Sequence, residues 1–327
     1  MVSKVKQSTK KYNFFDVFIP FCLLTIIVLI AINPQKYSET AYSGLIIWAK
    51  ILVPALLPFF VLSKLFTSYG LIYDISNILG PITTKIYKTP PITAYVFFMS
   101  IITGYPVGSK LISDLYNSGQ ISKQEAITSL SFCSNSGPMF ILGSVGIGMF
   151  SSVKMGYIIL FSHIVGSVIN GVIYRCKKNN FEHIHNGINP EKISFSDSIN
   201  GSVSSILLIG GVVCFSFVLI DVIISSNGFL FILNFLSKIG LNQKLLTAIF
   251  SGFFEITKGC LLLSSCGVST QISTAVCCFI ISFGGISTIL QSTAFTKEII
   301  SVKKFMLQKF THAIFATFVS LILIVIL

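Results

Sequence analysis

The sequence predicts an all-α polytopic membrane protein made of two inverted repeats, each with a re-entrant hairpin and a broken transmembrane helix. Three observations carry that prediction. Of 327 residues, 53% are hydrophobic and only 10% charged, and the apolar residues gather into runs of about twenty, the length that crosses a bilayer as a helix. Several runs are broken midway by glycine, proline and hydrogen-bonding side chains, and at membrane depth such breaks persist only where they are buried in protein or face water. Finally, the order of elements recurs, and the interval from Gly104 to Asn135 differs by a single residue from that between Gly252 and Gly284.

The elements follow in order. Lys4, Lys6, Lys10 and Lys11 precede an apolar run, 14–32; it lacks a small-residue cleavage site, so it reads as a retained first helix with its N-terminus inside. Residues 45–66 form a second span interrupted by Pro54 and Pro58, and 71–88 alternate as an interfacial helix does. Residues 92–116 are broken at Thr103-Gly104-Tyr105-Pro106-Val107-Gly108-Ser109-Lys110, and 122–150 at Asn135-Ser136-Gly137-Pro138. A regular span, 155–174, ends at Arg175, Lys177 and Lys178, before a polar loop. The same plan then returns: a span at 199–224, a short amphipathic piece at 229–239, the segment 245–263, a span 271–295 broken at Gly284-Gly285-Ile286-Ser287-Thr288, and a last span, 303–327. The organisation expected is an N-terminal helix (1–40), a first repeat (41–178), a polar linker (179–198) and a second, inverted repeat (199–327).

Charge sets the topology. If every apolar run crossed completely, Arg175, Lys177 and Lys178 would fall outside, against the positive-inside tendency. Making 92–116 and the segment 245–263 hairpins that return to their own sides brings that cluster inside, together with Lys297, Lys303, Lys304 and Lys309, and inverts one half relative to the other. Inverted repeats whose broken helices meet near the midplane belong to secondary transporters. Gly143, Gly146 and Gly148 are read as helix-packing residues.

Glu255 is the residue with the most to explain. It sits within an apolar stretch between Gly252 and Gly259, and carboxylates at membrane depth face a pathway or a partner. It is read as a hairpin tip lining a polar cavity, with Lys258 as the alternative structural partner for its charge.

Other chemistries find little support. The net charge of +12 comes from 23 basic and 11 acidic residues, yet Arg175 is the only arginine, so nucleic-acid recognition is not expected. The eight cysteines lie mostly in apolar stretches with no CxxC pair, and His183 and His185 read as solvated loop residues, so no metal is expected. There is no HExxH, no GxSxG and no Asp pair in apolar helices, and Ser109 beside Lys110 does not make a dyad, so the chain is not read as an enzyme.

Pro54-Ala55-Leu56-Leu57-Pro58-Phe59-Phe60, Gly104-Tyr105-Pro106-Val107-Gly108-Ser109-Lys110, Phe132-Cys133-Ser134-Asn135-Ser136-Gly137-Pro138 and Glu255-Ile256-Thr257 resemble the sporulation integral membrane proteins of the YlbJ type. These belong to the nucleoside recognition, or gate-domain, group, which is distantly similar to concentrative nucleoside transporters. The resemblance runs over nearly the whole chain from about residue 45. It implies a multi-pass protein of the outer forespore membrane that moves dipicolinate, pyridine-2,6-dicarboxylate, toward the developing spore. No cofactor is implied beyond a coupling proton or sodium. The implied partners are the small anionic solute and the lipid bilayer; a homo-oligomer and a partner transporter in the inner forespore membrane are compatible with it.

A planar aromatic dianion needs donors for two carboxylates and a flat wall for its ring. Lys110 and the backbone amides around Gly104, Pro106, Gly108 and Ser109, and around Asn135, Ser136 and Gly137, are candidates for the first. Tyr105 is the candidate for the second. Ser287, Thr288, Gln291 and Ser292 complete a neutral lining, leaving Glu255 with Thr257 to hold a coupling proton or sodium. Snorkelling to the headgroups is the alternative role for Lys110. A nucleoside-type carrier and a non-transporting membrane assembly protein for spore maturation are the alternative functions.

Overall fold

The computed structural model describes residues 14–69, 72–176, 194–238 and 240–327. The lysines expected to orient the N-terminus, Lys177 and Lys178, both loop histidines and most of the polar linker therefore lie outside the described residues. Every regular element described is helical. Helices α1 (Phe14–Ile32) and α2 (Pro34–Ile47) come first, and α2 runs through a π-helical turn (Trp48–Leu52) into α3 (Val53–Ser68). Next are α4 (Ile72–Ile86), the pair α5 (Ile92–Thr103) and α6 (Val107–Asn117), α7 (Lys123–Leu130), a π-helical segment (Met139–Met149) and α8 (Val153–Ile173). The second half contains α9 (Phe195–Ile224), α10 (Asn227–Lys238), α11 (Gln243–Phe254), α12 (Ile256–Ser264), α13 (Thr270–Phe283), α14 (Gly285–Thr296) and α15 (Val302–Ile326).

Local sequence accounts for most starts. Ser122 and Glu125 exchange side-chain and backbone hydrogen bonds in a capping box that opens α7, and Ser152, Ser194, Asn242, Ser269 and Ser301 each accept a backbone N–H at the head of α8, α9, α11, α13 and α15. Such caps satisfy amides that a helix leaves without partners.

The second span departs from expectation. It begins at Pro34, well before residue 45, and remains helical through Pro54 and Pro58. The π turn at 48–52 lies immediately before the prolines, and widening the helix there makes room for a ring that would otherwise meet the carbonyl one turn back. Trp48 uses the same turn to donate its indole N–H to the Ile206 carbonyl of α9 at 2.9 Å.

Packing crosses between the halves. Helices α2 and α3 lie against α9, α8 lies against α15, α6 packs on α14, and α12 packs on the π segment. Polar contacts lock two of these seams: Lys36 of α2 sits 3.7 Å from Asp221 of α9, and Ser113 of α6 donates to the Phe295 carbonyl of α14 at 2.7 Å. Between them lie three apolar clusters, around Phe132 and Phe305, around Ile159 and Ile281, and around Leu52 and Phe217.

Among the described residues, five helical runs are long and apolar enough to cross a bilayer: Pro34–Phe66, Val153–Ile173, Phe195–Ile224, Thr270–Thr296 and Val302–Ile326. Their outward faces stay apolar, with Leu207, Leu208, Phe215, Phe318 and Val325 exposed. Water would penalise such a surface and lipid does not. The chain is a multi-pass membrane protein.

Candidate functional site

Four interruptions in the helices converge. At the first, α5 ends and Gly104 turns the chain with φ 75°, the Tyr105–Pro106 peptide is cis, and α6 starts at Val107. A β-carbon on residue 104 would stand 2.7 Å from the Gly137 amide nitrogen, so glycine is what lets this turn touch the second interruption, 131–138. There Asn135 points into protein: its amide nitrogen donates to Ser100 Oγ at 2.9 Å and to the Phe132 carbonyl at 2.7 Å.

In the second half Glu255 separates α11 from α12 in an extended conformation, φ −146° and ψ 124°. Its Oε2 accepts the Lys258 backbone N–H at 2.7 Å, so the carboxylate caps the N-terminus of α12, where helix amides and dipole favour negative charge. Lys258 turns its own ammonium to the Phe217 carbonyl of α9, 2.7 Å away. The two side chains do not come within 4.0 Å of each other as an ion pair, so any neutralisation of Glu255 by Lys258 acts across a longer distance. The fourth interruption is Gly284, in the left-handed region with φ 92°, between α13 and α14. Its neighbour Gly285 lies beside the carbonyls of Gly252 and Phe254, which seats this break against the Glu255 turn.

The first three line a cavity of about 100 Å³, and the helix that follows the fourth completes it. Gly104 and Tyr105 line it from the first turn, Ser136 and Gly137 from the second interruption, Glu255 and Thr257 from the third, and Ser287, Thr288 and Gln291 from α14. Apolar walls come from Leu56 and Phe60 of α3, Phe140 of the π segment and Val213 of α9. A larger cavity of about 650 Å³ shares Phe60, Thr103, Tyr105, Ile209 and Gln291 with it and adds Pro106, Lys110, Lys64, Asp114 and Asp197. Gly108, Ser109, Asn135 and Ser292 line neither of these cavities. Gly108 is held against the Cys133 carbonyl, and Ser109, Asn135 and Ser292 are buried, with Ser109 Oγ, Asn135 Oδ1 and Ser292 Oγ lacking hydrogen-bond partners.

Behind Tyr105 lies a polar cluster that sequence reasoning missed. Lys309 of α15, assigned above to a membrane surface by charge counting, is instead 3% exposed within the bundle. Its ammonium donates to Tyr105 Oη at 2.8 Å and to the Ser134 carbonyl at 2.7 Å, lies 3.2 Å from His312 Nδ1, and sits 4.8 Å above the Tyr105 ring. His312 Nε2 donates to the His163 carbonyl of α8 at 2.9 Å. His163 in turn accepts the Ser136 N–H on Nε2 at 2.9 Å and meets Ser282 of α13 through Nδ1 at 2.8 Å. The signal in the sequence was a lysine and a histidine three residues apart in an apolar span, which share one helix face.

The chain as a whole is similar to known proteins. Residues 49–153, which include the first two interruptions, match the Gate family, described as nucleoside recognition. Over 324 residues the chain is 28% identical to the sporulation integral membrane protein YlbJ of Bacillus subtilis (strain 168), the match covering 90% of this chain and 79% of that protein. No solved structure matches. A relative aligned over most of this chain, a Gate match across the first two interruptions and a multi-pass helical fold point the same way: the chain is similar to the sporulation integral membrane protein YlbJ and, over residues 49–153, to the nucleoside recognition Gate family.

Proposed function

We propose that this protein is a secondary transporter of a small organic anion, dipicolinate, which it moves across the outer forespore membrane toward the spore during sporulation. The observation that carries the reading is the meeting of three backbone interruptions and the helix that follows the fourth on one small cavity, where a few polar groups face mainly apolar walls. Freed backbone amides and carbonyls at such a meeting point are the means by which broken-helix transporters hold solute and coupling ion.

Helix lengths and packing support reading the two halves as an inverted repeat. Helices α5 and α6 have 12 and 11 residues and α11 and α12 have 12 and 9; at about 1.5 Å per residue none reaches across a core of about 30 Å. Each pair folds back on itself, as a hairpin that enters and leaves by one face would. The helix after each turn packs on the broken helix of the opposite half, the exchange expected of two halves related by an axis in the membrane plane.

The lining fits a dicarboxylate unevenly. Lys110 and Lys64 place positive charge in the larger cavity beside the carboxylates of Asp114 and Asp197, and Tyr105 and Phe60, shared by both, offer flat apolar surface to a ring. Glu255 and Thr257 lie in the smaller one, where a coupling cation relieves the repulsion a carboxylate would exert on an anion. The larger cavity is then the entry and the smaller one the closed site. A nucleoside carrier is the second reading, favoured by the Gate match. Equilibrium binding of labelled dipicolinate to the purified protein, with unlabelled nucleosides as competitors, separates the two. Saturable binding that nucleosides do not displace is expected, and displacement by nucleosides would overturn the dipicolinate reading.

A further inference from the structure

The Lys309 cluster has no part in the transport reading above, yet it stands directly behind the tyrosine that both cavities share. Every donor and acceptor around it can be counted. His163 is fixed as a neutral imidazole: its Nε2 faces a backbone N–H and must accept, so its Nδ1 carries the hydrogen toward Ser282. His312 Nε2 faces a carbonyl and must donate, which leaves Nδ1 opposite the Lys309 nitrogen as an acceptor when that ring is neutral.

An ammonium at 309 then has three acceptors for its three hydrogens: Tyr105 Oη, the Ser134 carbonyl and His312 Nδ1. The Tyr105 hydroxyl, acting as acceptor there, gives its own hydrogen to the Ile281 carbonyl at 3.3 Å. Remove one proton and the count still closes. A neutral amine keeps its bonds to Ser134 and His312, and its lone pair accepts from Tyr105 once that hydroxyl hydrogen swings away from Ile281. No heavy atom needs to move between the two states.

The surroundings leave that proton free to exchange. No carboxylate lies within 4.0 Å of Lys309 among the described residues, where the ion pair found is Lys36 with Asp221. From the elements packed against it, α8 presents His163, the turn after α5 presents Tyr105, the 131–138 segment carries the thiol of Cys133, α7 (bonded to Gln308 through the Ile127 carbonyl) carries Lys123 and Glu125, α13 carries only the thiols Cys277 and Cys278, and α14 carries no titratable side chain. A buried cation without a paired anion is costly to keep and is retained where its charge is used.

We propose that Lys309 and His312 together hold one exchangeable proton, and that the Tyr105 hydroxyl reports its presence to the cavity. On release an N–H bond of the ammonium breaks, an O–H bond forms at Tyr105, and the former hydroxyl proton of Tyr105 passes to a carboxylate of the solute or to water in the cavity. Uptake reverses these steps. This is a coupling-proton site separate from any cation at Glu255, and only its use in coupling rests on the transport reading.

The test needs no solute. Infrared difference spectra of the purified full-length protein, recorded across its stable pH range, will show a tyrosine C–O band that shifts with pH and disappears in Tyr105→Phe. In Lys309→Arg, whose guanidinium keeps its charge and does not release a proton, the shift is absent, whereas in Glu255→Gln it persists. A shift of equal size in Lys309→Arg, or none in the wild type, would overturn the proposal. In vesicles, the stimulation of pyridine-2,6-dicarboxylate uptake by an imposed proton gradient falls about tenfold in Lys309→Arg, the scale of a coupling free energy between two sites. If the wild type moves no dicarboxylate, the transport reading fails while the spectroscopic result still decides the proton site.

Discussion

The two halves follow one element order but fill their interruptions with opposite chemistry. In the first half the break is an irregular segment, 131–138, held in place by donors and acceptors from elsewhere: Ser136 by His163, Ser134 by Lys309, and the Ser131 carbonyl by Asn170 at 2.8 Å. In the second it is a left-handed glycine, Gly284, with regular helix on both sides. The turns differ the same way, an aromatic hydroxyl backed by a buried cation at Tyr105 and a carboxylate capping its own helix at Glu255. Backbone plan decides where the chain opens, and side chains decide what each opening holds. The first break is therefore tethered from outside itself, and the second half carries a carboxylate that caps its own helix.

Steric substitutions break the comparison most severely. A β-carbon at residue 108 would fall on the Cys133 carbonyl oxygen, and one at 259 on the Gly252 α-carbon. Gly108→Ala and Gly259→Ala are each expected to cost about 3 kcal/mol or more, the upper range of overpacking, read as a lower unfolding temperature in detergent. An unchanged melting temperature in either would show that its half does not depend on that approach. His163→Phe tests the tether itself. It leaves the buried Ser136 N–H without its acceptor, a loss of about 1–3 kcal/mol, whereas an apolar ring that left stability intact would mean that the first break holds itself.

Smaller structural effects sharpen the functional side. In Glu255→Gln the amide oxygen still accepts the Lys258 N–H, so stability falls by less than about 1 kcal/mol while the ion dependence of uptake is lost. Lys110, exposed at the larger cavity, makes the mildest test. Lys110→Ala should leave stability within about 0.5 kcal/mol and weaken dicarboxylate binding about twofold to fivefold, the worth of a solvated charge contact. Unaltered binding would return Lys110 to a headgroup role.

What could be read from the sequence divides along the same line. Glycine and proline within apolar runs are local signals, so the breaks near Gly104, Asn135, Glu255 and Gly284 and the repeated order of helices were legible. The response of the second span to Pro54 and Pro58 was not, because a π turn upstream absorbed them and no residue type marks such a turn. Lys309 was misplaced for a different reason: whether a lysine near a helix end snorkels outward or turns inward depends on what the neighbouring helices present. Here the Tyr105 turn presents a hydroxyl and the 131–138 break a carbonyl to the Lys309 ammonium, while α8 presents a carbonyl to His312 one turn along. Asn135 shows the converse. A side chain suited to a lining points instead into Ser100 and the Phe132 carbonyl, holding the break rather than facing the cavity.

Uptake of labelled dipicolinate into proteoliposomes containing the purified protein, with and without imposed proton or sodium gradients, tests the central claim most directly when wild type is compared with Glu255→Gln. Saturable, gradient-stimulated uptake by the wild type, abolished or made independent of the gradient in Glu255→Gln, is the predicted result. Absence of uptake under every gradient by folded wild-type protein, or full ion-dependent transport by Glu255→Gln, would contradict it.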